Sequence, residues 1–302
     1  MKRNAIRFFV MAAVLLFTVQ IRTGAQAAPP AAKKAQPPKS VRLYVFQCGT
    51  LHNPDMGRFN LKNEDVTTSD MSMGCYLIAH PKGNLIWDTG AVIDDSWTPT
   101  GKSYTQHITL PDGQTREADV VKSLRGQLAE AGYTPADINY LALSHYHYDH
   151  TGNANEFAGA TWLVPQIEHD VMFGGVKSSG SFRPSSFSAL EKSKTIILKD
   201  KEYDVFGDGS VIIKSAPGHT QGHQVLYVKL AKTGGVVLSG DLYHYPAEMT
   251  LDRTPTFDFN ADQTRASRKD VAAFMKKTNS QLWIQHDFVG FSKLKKSPQF
   301  YE

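Results

Sequence analysis

Ser144-His145-Tyr146-His147-Tyr148-Asp149-His150-Thr151-Gly152 places four metal-ligating side chains within one short run. The run follows Ile138–Leu143, an apolar segment that reads as a buried strand. His145 and His147 are two residues apart, so on extended backbone leaving that strand they point the same way and can reach one ion. Asp149 and His150 follow where the chain turns at Thr151-Gly152 and face a second position. Three later segments add candidates: His219 in Ala216-Pro217-Gly218-His219-Thr220-Gln221-Gly222-His223, Asp241 in Ser239-Gly240-Asp241, and His286 in Gln285-His286-Asp287. Imidazole and carboxylate suit zinc and related divalent ions. This set exceeds what one ion needs and fits two. His219 completes a set with His145 and His147, and His286 completes one with Asp149 and His150. The two oxygens of Asp241 can join the sets. Two such ions sharing a hydroxide are equipped for hydrolysis.

Outward from these motifs, short apolar runs alternate with irregular polar stretches. Val41–Gln47, Gly74–Ala79 and Asn84–Asp88 read as strands, as do Thr161–Val164, Thr195–Leu198, Val211–Ser215, Gln224–Leu230, Gly235–Ser239 and Gln281–Gln285. Apolar residues at helical spacing predict helices over Asp119–Ala131, Gln166–Phe173 and Asp262–Lys277. Residues 51–71, 94–113 and 174–188 read as irregular, the last as a mobile aromatic flap. Strands followed by helix, twice over, with the candidate ligands at strand ends, predict two mixed sheets packed face to face with helices outside. An apolar wall for a substrate is expected from Met56, Phe59, Trp97, Tyr104, Phe173, Phe182 and Phe187.

The chain has 302 residues, 41% hydrophobic, enough for one large domain. Its net charge of +4 is misleading. Residues 1–40 hold seven Lys and Arg and no acid; the rest has 26 Lys and Arg against 29 Asp and Glu. The body is therefore slightly acidic, which argues against a nucleic-acid partner. Lys2, Arg3 and Arg7, the apolar run Phe8 to Val19 and the small-x-small site Ala25-Gln26-Ala27 read as a signal peptide over 1–27. The apolar run is shorter than a membrane span requires. Residues 28–40 read as a Pro/Ala/Lys-rich linker and 41–302 as the hydrolase domain. The protein is expected to be secreted, periplasmic in a Gram-negative source, with no stable membrane insertion after cleavage. Its expected partners are a small-molecule substrate and, at most, a second copy of itself. Cys48 and Cys75 lie in neighbouring strand-like runs. They could pair, but the expectation is two buried thiols, because the sequence cannot supply the separation a disulfide requires.

His-x-His-x-Asp-His, Gly-His-Thr-x-Gly-His, Ser-Gly-Asp and a late His-Asp, in this order, resemble the metallo-β-lactamase superfamily. The resemblance covers residues 41–300 and implies an α/β fold, a four-layer αβ/βα sandwich with a dinuclear site along one edge. Asp88, in Trp87-Asp88-Thr89-Gly90, and His223 match positions that are structural in that superfamily. Within it the chain is similar to the N-acyl homoserine lactone lactonases, through Asp241, the opening with Cys75, and Gln285-His286-Asp287. This implies a hydrolase that opens lactone rings with a metal-bridging hydroxide, acting in quorum quenching. Asp149, Asp241 and His244 would be its catalytic residues. The cofactors implied are two divalent ions, zinc by preference, with Fe, Mn or Co also accepted by this ligand chemistry. One position departs. The lactonases commonly carry a Tyr three residues after the bridging Asp, where this chain has His244 between Tyr243 and Tyr245. His244 could replace that Tyr, a neighbouring Tyr could, or the residue has no catalytic part. Rival readings on the same scaffold are a β-lactam, thioester or aryl ester hydrolase, or an iron-dependent sulfur dioxygenase.

Overall fold

The computed structural model describes residues 36–53, 55–94, 104–110, 113–178 and 181–302. The expected signal peptide, linker residues 28–35, Trp97 and the Tyr104 side chain lie outside the described residues.

Eight strands come first: β1 (Arg42–His52), β2 (Met71–His80), β3 (Gly83–Trp87), β4 (Tyr104–Thr109), β5 (Thr115–Val120), β6 (Tyr140–Ala142), β7 (Thr161–Pro165) and β8 (Thr195–Leu198). They form one sheet in the order β4-β5-β1-β2-β3-β6-β7-β8. Its β3–β6–β7–β8 half is parallel and the remainder antiparallel. The next five, β9 (Glu202–Asp204), β10 (Val211–Ser215), β11 (Gln224–Leu230), β12 (Gly234–Leu238) and β13 (Ser280–Trp283), form the second sheet in the order β13-β12-β11-β10-β9. A last short strand, β14 (Phe300–Tyr301), returns to β1.

Strand alternation builds the layers. Leu43 and Val45 of β1 turn inward with Ile78, Leu85 and Trp87, and meet Val211, Ile213, Leu226, Val228 and Leu238 of the second sheet in one buried cluster. Tyr44 and Phe46, the alternate residues of β1, pack on the other face with Leu124 and Leu128 of α1 (Leu124–Glu130). Every residue of β2 is buried, as expected of a strand covered on both faces. Two short helices, α2 (Tyr148–Thr151) and α3 (Gln166–Phe173), follow β6 and β7. The second sheet's outer face is covered by the longest helix. After α4 (Pro246–Thr250), α5 (Ala261–Thr278) sets Val271 and Phe274 against Val225, Tyr227 and Val237. Asn260 caps it by accepting from the Gln263 N–H at 3.0 Å. A single turn, α6 (Phe288–Ser292), follows β13. The result is the four-layer αβ/βα sandwich.

Three expectations change. The predicted helix Asp119–Ala131 begins only at Leu124, because Asp119 and Val120 are claimed by β5, which pairs with both β4 and β1. That hairpin lies in and beside a stretch read as irregular. The segment read as a mobile flap holds Phe187 fully buried, between single turns at Pro184–Ser186 and Ser188–Lys192. Cys48 and Cys75 form a disulfide, with Cα atoms 6.0 Å apart, where two thiols were expected. The β1–β2 register sets Phe46 opposite Cys75, and a bulge after Gln47 brings Cys48 within reach.

Candidate metal centre

The candidate ligands stand where strands end. β6 runs out into His145 and His147, β10 precedes His219, β12 leads to Asp241 and β13 to His286. Carboxyl ends of strands in α/β sheets are where ligands gather. The seven residues form two adjoining groups: His145, His147, His219 and Asp241, and Asp149, His150 and His286. Within each group the potential ligand atoms lie within 4.8 Å of one another. Asp241 stands between them. Its Oδ2 lies 3.2 Å from His219 Nε2 and 3.5 Å from His145 Nε2. Its Oδ1 lies 3.0 Å from both His150 Nε2 and His286 Nε2. Asp149 approaches His286 Nε2 at 3.8 Å.

The outer nitrogens of four imidazoles are held by a surrounding shell. His145 Nδ1 meets Ser144 Oγ at 3.0 Å, His150 Nδ1 meets Asp88 Oδ2 at 2.9 Å, His219 Nδ1 meets Asp258 Oδ1 at 2.9 Å, and His286 Nδ1 meets the Ser72 carbonyl at 2.7 Å. Such contacts fix which ring nitrogen faces inward. The inward atoms then test the fit of a metal. Nε2 of His145, His150 and His286 and Oδ1 of Asp241 are buried and, though they crowd together at 3.0–3.5 Å around Asp241, make no well-aligned hydrogen bond among the described residues. Orphaned buried polar atoms cost about 1–3 kcal/mol each. Convergent imidazole and carboxylate atoms in that condition fit divalent ions.

Asp88 anchors the arrangement. It has φ of +55°, in the left-handed region. From there it accepts from the Ser144 N–H at 2.6 Å and from Gln285 Nε2 at 2.8 Å, besides contacting His150. His223 accepts from the Asp241 N–H at 2.9 Å, and burial lowers its pKa to about 3, so it stays neutral for that task. Both sit outside the two groups. Burial works to raise Asp241, but the surrounding histidines, His150 and His286 foremost, pull it well below the usual carboxylate range. Gly218 has φ of +137°, and a Cβ there would lie 2.2 Å from the Thr264 N, so the His219 loop demands glycine.

Two orienting acids lay outside the sequence reading. Glu168 of α3 accepts from the Tyr146 N–H (3.0 Å), Thr220 Oγ1 (2.6 Å) and the Gly222 N–H (2.8 Å), tying the two histidine loops together. Burial pushes its carboxyl up to about 7 against those three donors. Asp258 holds His219 and accepts from Thr264 Oγ1 at 2.7 Å.

His244 faces the site. Its Nε2 is 3.2 Å from Asp241 Oδ2, and its Nδ1 is 3.4 Å from Glu248 Oε1. Burial opposes charge on this ring, but Glu248 and Asp241 outweigh it and push its pKa up to about 10. Its tyrosine neighbours point elsewhere. Tyr245 donates to the Ser69 carbonyl at 2.7 Å, and Tyr243 lies under Arg268 at 4.1 Å. Of the expected apolar wall, Phe59 lines the cavity beside Phe257, Leu51 and Met71. Met56 and Phe187 are buried in the core, while Phe173 and Phe182 are partly buried against it.

A profile of the metallo-β-lactamase superfamily matches residues 75–277. An N-acyl homoserine lactonase, AttM, of Rhizobium johnstonii is 30% identical over 277 residues, covering 86% of this chain and 98% of the relative. The lactonase of the same name from Azorhizobium caulinodans is 28% identical, covering 87% and 99%. Among solved structures, an N-acyl homoserine lactone hydrolase with N-hexanoyl-L-homoserine at its catalytic metal center superposes with a TM-score of 0.68 at 20% identity, covering 86% of this chain and 99% of that one. AidC, a dizinc quorum-quenching lactonase, superposes with a TM-score of 0.61 at 20% identity, covering 89% and 96%. The chain belongs to the metallo-β-lactamase superfamily and is a metal-dependent hydrolase.

Proposed function

We propose that the protein is an exported hydrolase with two metal ions that opens the lactone ring of N-acyl homoserine lactones. The observation that carries the reading is the Asp241 carboxylate, shared between two histidine groups, one oxygen toward His145 and His219 and the other toward His150 and His286. Relatives named N-acyl homoserine lactonases, aligned over nearly their whole length, supply the substrate class. His145, His147, His219 and Asp241 Oδ2 would hold one ion, and Asp149, His150, His286 and Asp241 Oδ1 the other. Zinc suits this set. Bound ions of this kind acidify water to a pKa of about 7 and polarise a carbonyl.

The chain's own groups do the rest. His244, which faces the site beside Asp241, would donate a hydrogen bond toward the charge that develops on the carbonyl oxygen. Asp149, at the rim of the site, carries the proton to the leaving ring oxygen. Phe59, Phe257, Leu51 and Met71 offer apolar surface to an acyl chain. Export is supported by the charge pattern of residues 1–27 and by the Cys48–Cys75 disulfide, which suits an oxidising compartment. Asp149→Asn tests the proton role. Turnover, compared on protein shown to carry both metals, is expected to fall at least about 100-fold. Near wild-type turnover with both metals bound would remove Asp149 from that role.

A further inference from the structure

The cavity over the metal centre carries cationic groups that the hydrolytic chemistry does not use. Arg58, in the turn Met56–Phe59, and Arg116, on β5, both line it alongside His147, Tyr148 and His244. The same two arginines line the wider vestibule outside, a space of about 750 Å³. Neither has a carboxylate within 4.0 Å among the described residues. Arg58 lies over the Phe257 ring at 4.8 Å. Arg116 donates only to the Thr115 carbonyl at 3.0 Å and to Gln114 Oε1 at 2.5 Å.

The acids around the vestibule are engaged elsewhere. Asp55 accepts from the Gly57 N–H, Asp70 and Asp119 flank His52 at 2.9 and 3.3 Å, and Glu117 faces His107 at 3.4 Å. Asp149 and Asp241 also line the cavity, but both belong to the metal groups, and two guanidinium groups at its mouth without an ion-pair partner within 4.0 Å among the described residues are an arrangement an anion would relieve. Burial, and next the Arg116 charge, lower the Arg58 pKa, as expected of like charges brought together.

A second observation converges on the same place. Tyr148 lines the cavity and is only 3% exposed, and its hydroxyl is buried with no hydrogen-bond partner among the described residues. A phenol hydroxyl has one hydrogen to donate. An unpaired buried donor beside two guanidinium groups that make no ion pair among the described residues calls for an acceptor carrying negative charge.

We infer that Tyr148, Arg58 and Arg116 form an oxyanion subsite at the mouth of the metal cavity, and that the substrate carries a carboxylate at the end remote from the bond that is cut. The inference rests on the hydrolase reading above and narrows its substrate class to acid-bearing acyl groups.

The test compares two homoserine lactones on the metal-loaded protein. Their acyl chains are identical but end in a carboxylate or in the corresponding primary amide. Wild type is expected to favour the carboxylate by about tenfold or more in kcat/KM, the yield of one charge-assisted hydrogen-bonded pair. Arg58→Gln and Arg116→Gln should each lower that ratio toward unity, and Tyr148→Phe should lower it part way. Equal kcat/KM for both lactones in wild type would overturn the subsite. If neither lactone opens, the lactonase reading fails, and calorimetric binding of adipate monoamide to the metal-loaded protein decides the subsite separately. About tenfold weaker binding in Arg58→Gln, at unchanged metal content, supports it. Unchanged affinity would mean that the carboxylate rests on the metals alone and would overturn it.

Discussion

Glu168→Gln replaces one oxygen of a buried carboxylate by an NH₂ group while keeping its size. Oε1 serves Thr220 and Gly222, and Oε2 serves the Tyr146 N–H. With the amide oxygen kept on the Thr220 side, the NH₂ faces the Tyr146 N–H, donor against donor. A buried N–H left without an acceptor costs about 1–3 kcal/mol, out of a typical domain stability of roughly 5–15 kcal/mol. Because Glu168 joins the loops carrying His145, His147 and His219, metal affinity should also fall about 10–100-fold. The pH dependence adds a sign. The folded carboxyl is raised from 4.5 to about 7, so the folded state holds this proton more tightly. Its stabilising contribution is complete below pH 4.5 and is lost as pH rises through about 7. Wild type therefore loses about 1 kcal/mol from this group between pH 6 and pH 8, and the Gln variant does not. Urea denaturation with excess metal at both pH values measures the difference. The variant should be less stable throughout, with a gap that narrows from pH 6 to pH 8. Curves coincident with wild type, or a gap that widens, would refute the assignment of Glu168 as the tie.

Two further outcomes are expected. Asp258→Ala frees the outer nitrogen of His219, and competition with a chromogenic chelator should find metal held about 10–100-fold more weakly, whereas unchanged affinity would show the contact to be incidental. Removing the Cys48–Cys75 bridge, which spans 27 residues, by the double change to Ala should cost about 3–4 kcal/mol in urea unfolding. A loss below about 1 kcal/mol would fall outside the chain-entropy account.

The metal-centre residues were legible because each belongs to a short local pattern at the end of an apolar strand. His145, His147, Asp149 and His150 need no long-range information, His219 and Asp241 follow strands with mostly buried residues, and His286 follows β13, which ends on the buried Trp283. Of the residues that orient them, Asp88 and His223 sit in short motifs too, whereas Asp258 and Glu168 were not legible. Asp258 is an ordinary loop acid until folding brings it against His219, 39 positions away. Glu168 offered one weak signal, its place three and four residues before Val171 and Met172 on the buried side of α3.

The β4–β5 hairpin was missed because its strands are largely polar and only Ile108, Ala118 and Val120 were available to suggest alternation. Its pairing with β1, rather than local propensity, makes it a strand and takes Asp119 and Val120 from the predicted helix. The disulfide depended on a bulge in β1, which the sequence does not announce. Which of Tyr243, His244 and Tyr245 faces the site depends on tertiary contacts, Tyr245 with Ser69 and Tyr243 with Arg268. The pairing of Arg58 with Arg116 likewise exists only once β5 lies beside the turn that follows β1.

The most direct test of the two-metal lactonase is acid release from a long-chain N-acyl homoserine lactone, followed at constant pH with zinc-loaded mature protein. Ring opening that is abolished by chelation, and restored as two equivalents of zinc are returned, is the predicted result. Protein that holds two metal ions per chain and releases no acid would contradict it.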